Sequence, residues 1–300
     1  MSNPAGAKLT LSTLALGLGC GIATALFWAV GLIAAKHGIG SGLGPADIAF
    51  HRNVWVGAAL LPVLMLQGGL RDLGGIGWGR GVALSIFGGI PFAILSSTGF
   101  LLVPLGHGGV IQPSCAALGG IVLSALVLRE AMPAWRAIGA LAMVMGLMLL
   151  GWEALATIGT HGVVGDITFA GAGLSFAVFG LMLRLWRISP MRAVVIVGVV
   201  SLAYVPVHWA VFGFAQMMAA GWTENLLQVA VQGVFAGTLS IYLFTRTVIL
   251  LGASRAAVFP ALVPALTVLL GIPVLGEVPS VIQLAGLVIV GIGFRLAMKG

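Results

Sequence analysis

The chain has 300 residues, of which 60% are hydrophobic and only 7% are charged. About 25% of the residues in a typical soluble domain are charged, because its surface faces water. The 14 basic and 7 acidic side chains of this chain are too few for that purpose. The composition therefore excludes an ordinary soluble protein and predicts one that is embedded in a lipid bilayer.

Apolar runs, each bounded by glycine, proline or charged residues, follow one another along the chain. A helix needs about 20 predominantly apolar residues to cross a bilayer, and these runs lack the polar–apolar alternation of membrane barrel strands. We therefore predict an all-α integral membrane protein with ten transmembrane helices; nine helices and one re-entrant segment are the main alternative. The runs cover residues 11–35, 46–67, 81–103, 108–128, 134–152, 166–186, 192–213, 225–250, 255–275 and 280–298.

The distribution of basic residues predicts the orientation of these helices. With ten helices and both termini on one side, that side receives twelve of the 14 Lys and Arg residues, and the other side receives Lys36 and Arg52. Cytoplasmic loops of membrane proteins carry an excess of Lys and Arg, so both termini are expected in the cytoplasm. This predicts a multi-pass protein of the cell inner membrane, surrounded by lipid and without a nucleic-acid partner. The oligomeric state stays open.

The two halves of the chain share a spacing of proline, glutamate and glycine residues. In each half a proline precedes a glutamate by 17 residues, and glycines follow that glutamate after 9 and 16 residues. Each half holds five predicted helices, and because five is odd, the second copy must be inverted in the membrane. Inverted repeats are typical of secondary transporters, although channels also contain them. The repeats cover residues 11–152 and 166–298, and the shared positions are Pro113, Glu130, Gly139 and Gly146 in the first and Pro260, Glu277, Gly286 and Gly293 in the second.

Several motifs in this arrangement resemble those of a known family. The first run contains Trp28-Ala29-Val30-Gly31 followed by Lys36, the second begins with Phe50-His51-Arg52, and the glutamates lie in Leu128-Arg129-Glu130 and Leu275-Gly276-Glu277. With these motifs the chain resembles the EamA-type transporters of the drug/metabolite transporter superfamily. The resemblance implies ten helices around a central cavity that the first, third, fourth, sixth, eighth and ninth of them line. It also implies export of small metabolites, amino acids among them.

Polar and aromatic residues inside the runs are candidates for substrate binding. Polar side chains at membrane depth are costly unless they are paired or hydrated, so they mark functional sites. Trp28 and Tyr242 can form a stacking wall, and Arg52 can bind a substrate carboxylate. The candidates are Trp28, Arg52, Ser97, Thr98, Gln112, Gln232 and Tyr242.

Structural roles are the alternative for these residues. Hydroxyl and amide side chains commonly form hydrogen bonds between membrane helices, and Trp28 is equally consistent with core packing. Asp47 and His51 lie one helical turn apart and are expected to pair with each other; such a pair can also neutralise Arg52. Lys36 is expected to extend from the end of its helix towards the membrane surface.

The remaining features concern mechanism. Pro113, Pro260 and Pro264 are expected to act as hinges, because proline frees a backbone carbonyl and permits a bend. No nucleotide-binding loop, cofactor motif or metal-ligand cluster is recognisable in the sequence, and no acidic residue lies in mid-span. We therefore predict a non-enzymatic secondary transporter without cofactors, which works by alternating access through facilitated diffusion or exchange rather than proton coupling.

The expected substrates are small neutral or zwitterionic metabolites. The candidate residues combine amides and hydroxyls with aromatic rings in an otherwise apolar setting, which suits aromatic or other hydrophobic amino acids better than a polyanion. Multidrug export, nucleotide-sugar export or a passive channel is the alternative.

Overall fold

The computed structural model describes residues 11–66, 69–103, 105–127, 134–150, 152, 163–251, 256, 259–275 and 280–297. Within these ranges the chain is helical with short turns and contains no strand. The two glutamate motifs of the sequence, at Glu130 and Glu277, lie outside them. We number the α-helices in chain order as α1 (Leu11–Gly40), α2 (Pro45–Leu66), α3 (Trp78–Gly88), α4 (Ile90–Leu102), α5 (Leu105–Val127), α6 (Ala134–Leu150), α7 (Val163–Leu185), α8 (Pro190–Ser201), α9 (Tyr204–Val211), α10 (Ala215–Gln228), α11 (Ser240–Leu251), α12 (Val263–Leu275) and α13 (Val281–Ala297).

Each predicted apolar run falls on helical backbone within the described ranges. Five helical stretches are long and apolar enough to cross a membrane, and the bent pair Met191–Ser201 and Tyr204–Val211, with 42° between its halves, makes a sixth. Two shorter apolar helices lie at Ala137–Leu149 and Val281–Gly293. The described residues thus form a helical membrane protein, whereas the count of ten crossings stays a prediction. The five stretches are Leu11–Gly40, Pro45–Leu66, Trp78–Leu102, Val163–Leu185 and Ala215–Leu251.

The surface and the interior of the molecule are inverted relative to a soluble protein. Large apolar side chains point outwards, with Leu66 89% and Trp222 84% exposed. Buried positions in contrast include many polar side chains, such as Asp47, His208 and Gln232. Since a lipid solvent favours apolar groups and leaves polar groups to be satisfied inside the protein, this distribution agrees with the composition.

The helices α6 and α13 pack against each other through the repeated glycines. A Cβ atom on Gly146 would lie 2.8 Å from the carbonyl oxygen of Gly286, and one on Gly293 would lie 2.7 Å from that of Gly139. Gly146 therefore contacts Gly286, which is the repeat equivalent of Gly139, and Gly139 contacts Gly293, which is the repeat equivalent of Gly146. The two helices run antiparallel. This reciprocal, antiparallel contact is the pattern expected of two halves that are related by a two-fold axis, as the predicted inverted repeat requires.

The helices α2 and α8 cross in a similar way. A Cβ atom on Gly57 would overlap the carbonyl oxygen of Gly198, so glycine is required for the two backbones to approach this closely. Around the crossing lies a large apolar core that includes Leu64, Leu73 and Ile196. This core joins the first half of the chain to the second.

Candidate functional site

A small cavity lies between the two halves, where α1, α2, α4 and α5 meet the segment between α10 and α11. Its volume is about 40 Å³, enough for water but far below the roughly 300 Å³ of an ordinary ligand pocket. The cavity in this structure is therefore too small to hold a metabolite. Apolar walls come from Leu32, Ile48, Phe92 and Phe100, and the polar lining residues are Arg52, Ser96, Ser97, Gln112 and Gln232.

Four of the seven predicted substrate-binding residues meet at this cavity. They are Arg52, Ser97, Gln112 and Gln232, which come from four separate stretches of sequence. The fold thus brings these four together out of the many polar residues within the apolar runs. Their function stays a prediction.

The segment that carries Gln232 is π-helical over Val229–Leu239. Its bonds reach five residues back: the backbone N–H of Ser240 donates to the carbonyl of Phe235. π-Helical turns are rare and are often found at functional sites. This segment approaches α2 through Gly237, on which a Cβ atom would lie 2.6 Å from Val56. Nothing in the sequence indicated a π-helix.

Gln232 connects α1 to α2 through its amide. Its Nε2 donates to the carbonyl of Gly31 at 2.7 Å, and its Oε1 accepts a long contact of 3.5 Å from Arg52 Nη1. The side chain is completely buried. A Cβ atom on Gly31 would lie 2.8 Å from Ala236, so the glycine allows the close packing that brings its carbonyl to the amide.

On the opposite wall, Ser96 and Gln112 form a second contact between helices. The Ser96 hydroxyl donates to Gln112 Oε1 at 2.8 Å. Ser97, only 4% exposed, lies beside this pair. This hydrogen bond agrees with the structural alternative expected for hydroxyl side chains between membrane helices, and Gln112 also lines the cavity.

The predicted pairing of Asp47 with His51 is wrong. Asp47 Oδ1 instead lies 3.1 Å from His208 Nε2, and Asp47 Oδ2 accepts from the backbone N–H of Gly44 at 2.8 Å. Both paired side chains are buried. The sequence could not indicate this partner, because His208 lies in the other half of the chain. Arg52 is consequently not neutralised by its neighbour in sequence.

Both ring nitrogens of His51 form hydrogen bonds with uncharged side chains. Trp55 Nε1 donates to His51 Nδ1 at 3.1 Å, so the imidazole proton is on Nε2, which donates to Asn225 Oδ1 at 3.1 Å. Asn225 in turn donates to the carbonyls of Met217 and Gly221. His51 is thus held as a neutral link between α2 and α10.

Two further contacts between histidine and carboxylate join the halves at the same end of the bundle. His37 Nδ1 lies 3.2 Å from Glu224 Oε2, and His107 Nδ1 lies 2.7 Å from Asp166 Oδ1. Gln228 reinforces the first by donating to Glu224 Oε1 at 2.8 Å. Sequence reasoning missed these pairs, since neither spacing nor motif connects their members.

Lys36, near the end of α1, contacts the end of a neighbouring helix. Its Nζ donates to the carbonyls of Phe100 at 2.7 Å and Val103 at 3.4 Å. The ammonium therefore caps the last turn of α4, where the helix leaves carbonyl groups without partners and its dipole is negative.

Three predicted substrate-binding residues lie away from the cavity. The Trp28 ring packs against Phe244, with 5.7 Å between ring centroids, and belongs to the apolar cluster of α1 and α12. Thr98 is partly buried on α4. Tyr242 is 51% exposed on α11. These three are not among the residues that line the cavity.

The three predicted hinge prolines occupy different local positions. Pro113 lies inside α5, where a proline removes a helical hydrogen bond. Pro260 lies in a 3₁₀ turn at Phe259–Leu262, and Pro264 lies in the first turn of α12. A first-turn proline is well tolerated, so among these three only Pro113 interrupts a continuous α-helix.

The described residues that line this cavity lie on α1, α2, α4, α5 and the segment around Gln232, and α2 contributes Ile48 and Arg52. Among the described residues no group of three or more His, Cys, Asp or Glu side chains is arranged to hold a metal ion.

Together these features define a helical membrane protein with a buried polar site at the junction of two halves. A model of the EamA-like transporter family matches residues 15–152 and 163–298, so two copies cover nearly the whole chain. The protein belongs to the EamA-like transporter family, whose members are transporters of the drug/metabolite superfamily.

The fold is also found among solved structures. One, described as "Crystal structure of protein", superimposes with a TM-score of 0.68 at 18% identity, over 95% of this chain and 96% of that chain. At this identity the likeness concerns the fold. No curated protein matches the sequence.

Proposed function

We propose that this protein exports small neutral or zwitterionic metabolites, above all amino acids with aromatic or other hydrophobic side chains, across the cell inner membrane. The observation that carries the proposal is the cavity itself. Donor groups from Arg52 and Gln112 lie next to apolar walls formed by Leu32, Ile48, Phe92 and Phe100. An amino acid has the complementary composition, a polar head and an apolar side chain.

The position and the size of this cavity support the proposal of alternating access. Its walls come from both halves, since α1, α2, α4 and α5 precede the boundary and Gln232 follows it. At about 40 Å³ it is too small for a metabolite. The halves must therefore move apart on one side to admit the substrate and on the other to release it. We assign the bending to Pro113 in α5 and to Pro260 and Pro264 at the start of α12.

The proposed topology has ten crossings, with the second repeat inverted and both termini in the cytoplasm. The end of the bundle that carries Arg80, Arg187 and Arg192 is then cytoplasmic by the positive-inside rule. The end that carries the histidine–carboxylate pairs faces the opposite compartment. Export then occurs by facilitated diffusion down the concentration gradient of the substrate, or by exchange for a second substrate.

Counterflow in liposomes tests the proposal. Purified protein is reconstituted, the vesicles are loaded with one unlabelled amino acid at a time, and uptake of a labelled one is followed. We expect saturable exchange within a group of hydrophobic amino acids. If none of the amino acids were exchanged and the protein instead conducted ions, the protein would be a channel and the proposal of a carrier would be wrong. Protection of cells against toxic cationic dyes would indicate multidrug export instead.

A further inference from the structure

The cavity lining carries a positive charge and no negative charge among its described side chains. Arg52 is its charged residue, and the acidic side chains described nearby are occupied elsewhere, Asp47 by His208 and Glu224 by His37. The guanidinium donates a long hydrogen bond of 3.5 Å to Gln232 Oε1. A cation held inside a protein without an opposite charge is strongly disfavoured, so such a group is expected to have a function.

The free hydrogen-bonding groups of the cavity are mostly donors. The amide of Gln232 is engaged at both atoms, by Gly31 and by Arg52. The amide oxygen of Gln112 accepts from Ser96, which leaves its two N–H donors for a ligand. Arg52 supplies several further N–H donors. The site therefore offers mainly N–H donors: both amide oxygens of the lining already accept a hydrogen bond, the hydroxyl oxygens of Ser96 and Ser97 are its weaker, uncharged acceptors, and the described lining side chains include no carboxylate.

We propose that this site recognises its substrate through a carboxylate bound by Arg52, and that it does not recognise an amine. This inference rests on the proposed function and narrows it. A carboxylate presents only acceptors, matches the planar guanidinium with two parallel hydrogen bonds, and supplies the missing negative charge. An ammonium group carries only donors and requires a carboxylate or free carbonyl, which the described lining side chains do not offer.

The rest of the lining fits the remainder of such a ligand. Leu32, Ile48, Phe92 and Phe100 form apolar walls around the donors. A small organic acid with an aliphatic or aromatic body satisfies both surfaces. An amino acid is then transported by virtue of its carboxylate and its side chain, and its deaminated counterpart satisfies the same two contacts.

Matched ligands separate the two charged groups of an amino acid. Leucine and phenylalanine carry both groups, 4-methylpentanoate and 3-phenylpropionate lack the amine, and leucinamide and phenylalaninamide lack the carboxylate. Binding is measured as the ligand-induced rise in the thermal unfolding temperature of the full chain in detergent micelles, so passive permeation of weak acids does not interfere. Competition against the labelled amino acid in the counterflow assay provides the second readout.

We expect the deaminated acids to stabilise the protein and to compete at least as well as their parent amino acids, whereas the amides do neither. Arg52→Gln should weaken binding of the acids at least about tenfold, since charge-assisted hydrogen bonds are the strongest polar contacts in an interface. Arg52→Lys should retain part of the binding, because it keeps the charge and loses the planar fork. Arg246→Gln, which removes an exposed arginine of α11, is the matched control and should change nothing.

A structural role for Arg52 predicts a different pattern. If Arg52 only stabilised the fold, Arg52→Gln would lower the unfolding temperature of the ligand-free protein; a binding role predicts that this temperature stays the same or rises. Amides that bind as well as the acids, or deaminated acids that fail where their parents bind, would overturn the inference and leave transport intact. Failure of all six ligands to bind overturns it as well, and absence of any counterflow overturns the proposed function separately.

Discussion

The two halves of the molecule are joined by different physics in two regions. In the first, which we call the histidine end, imidazoles and carboxylates from opposite halves form pairs; in the second, the glycine crossings, backbones touch without intervening side chains. The histidine end consists of His37–Glu224, Asp47–His208 and His107–Asp166. The glycine crossings are Gly57–Gly198, Gly139–Gly293 and Gly146–Gly286.

This difference bears on which contacts a transport cycle can exchange. Contacts at the glycine crossings depend on shape, and any separation there forfeits close packing, which is a main source of association between membrane helices. Under the proposed alternating access, the partners at the histidine end exchange each other for water when that end opens. We therefore expect the glycine crossings to persist through the cycle and the histidine end to be remade in each turn.

The largest effect on stability is expected from the buried pair of Asp47 and His208. In the variant His208→Phe, Asp47 keeps its hydrogen bond from Gly44 but loses its charged or polar partner in a site where it is 1% exposed. Leaving a buried carboxylate without its partner costs about 3–5 kcal/mol. The free energy of unfolding, measured in mixed detergent micelles, should fall by that amount.

The double variant His208→Phe with Asp47→Asn is the control for this prediction. It removes the orphaned charge, while the asparagine oxygen still accepts from Gly44, so most of the lost stability should return. If the double variant were as unstable as the single one, the damage would come from the fit of the phenylalanine ring, and the pair would have no special weight at the histidine end.

At the glycine crossings the next largest effect is expected from Gly57→Ala. The added methyl group would meet the carbonyl oxygen of Gly198, which belongs to the backbone and cannot rotate away. Overpacking of this kind costs about 1–3 kcal/mol, again measured by unfolding in micelles. Gly180→Ala on α7 is the matched control, because its Cβ would meet nothing within 4 Å. Equal stability of both variants would contradict the close crossing of α2 and α8.

Much of this fold could be predicted from the sequence, because its dominant signals are local. The apolar runs fall on helical backbone because hydrophobicity over about 20 residues is sufficient to specify a spanning helix. The glycine spacing that Gly139 and Gly146 share with Gly286 and Gly293 indicated the duplication, and these glycines contact one another. The π-helical segment at Val229–Leu239 was not foreseen, since propensity does not separate it from an α-helix.

The candidate site could be predicted only in part. Arg52, Gln112 and Gln232 were recognisable because polar side chains in apolar runs are rare and each requires an explanation. The pairing of these groups depends on which helices become neighbours, and a single sequence does not contain that information. Asp47 is the clearest case: its local partner His51 was expected, but the tertiary fold supplies His208 instead.

A smaller effect at the glycine crossings tests the symmetry of the two halves. Gly146→Ala places a methyl group 2.8 Å from the Gly286 carbonyl oxygen, and Gly293→Ala places one 2.7 Å from that of Gly139. Because the two contacts are reciprocal, each variant should lose about 1–2 kcal/mol of unfolding free energy, and the two losses should be similar. Gly291→Ala, on an open face of α13, is the control. Strongly unequal losses would contradict a two-fold relation between α6 and α13.

The smallest effect is expected from the exposed pair at the histidine end. The His37 side chain is 59% exposed, and Glu224 retains a hydrogen bond of 2.8 Å from Gln228 when His37 is replaced. An exposed ion pair contributes about 0–1 kcal/mol, so His37→Gln should leave the unfolding free energy almost unchanged. Gln228→Leu, in contrast, removes the buried donor to both Glu224 and the Ala34 carbonyl and should cost more. If His37→Gln were the more harmful of the two, the histidine end would depend on charge at its exposed rim, and the buried contacts that join the halves there would be secondary.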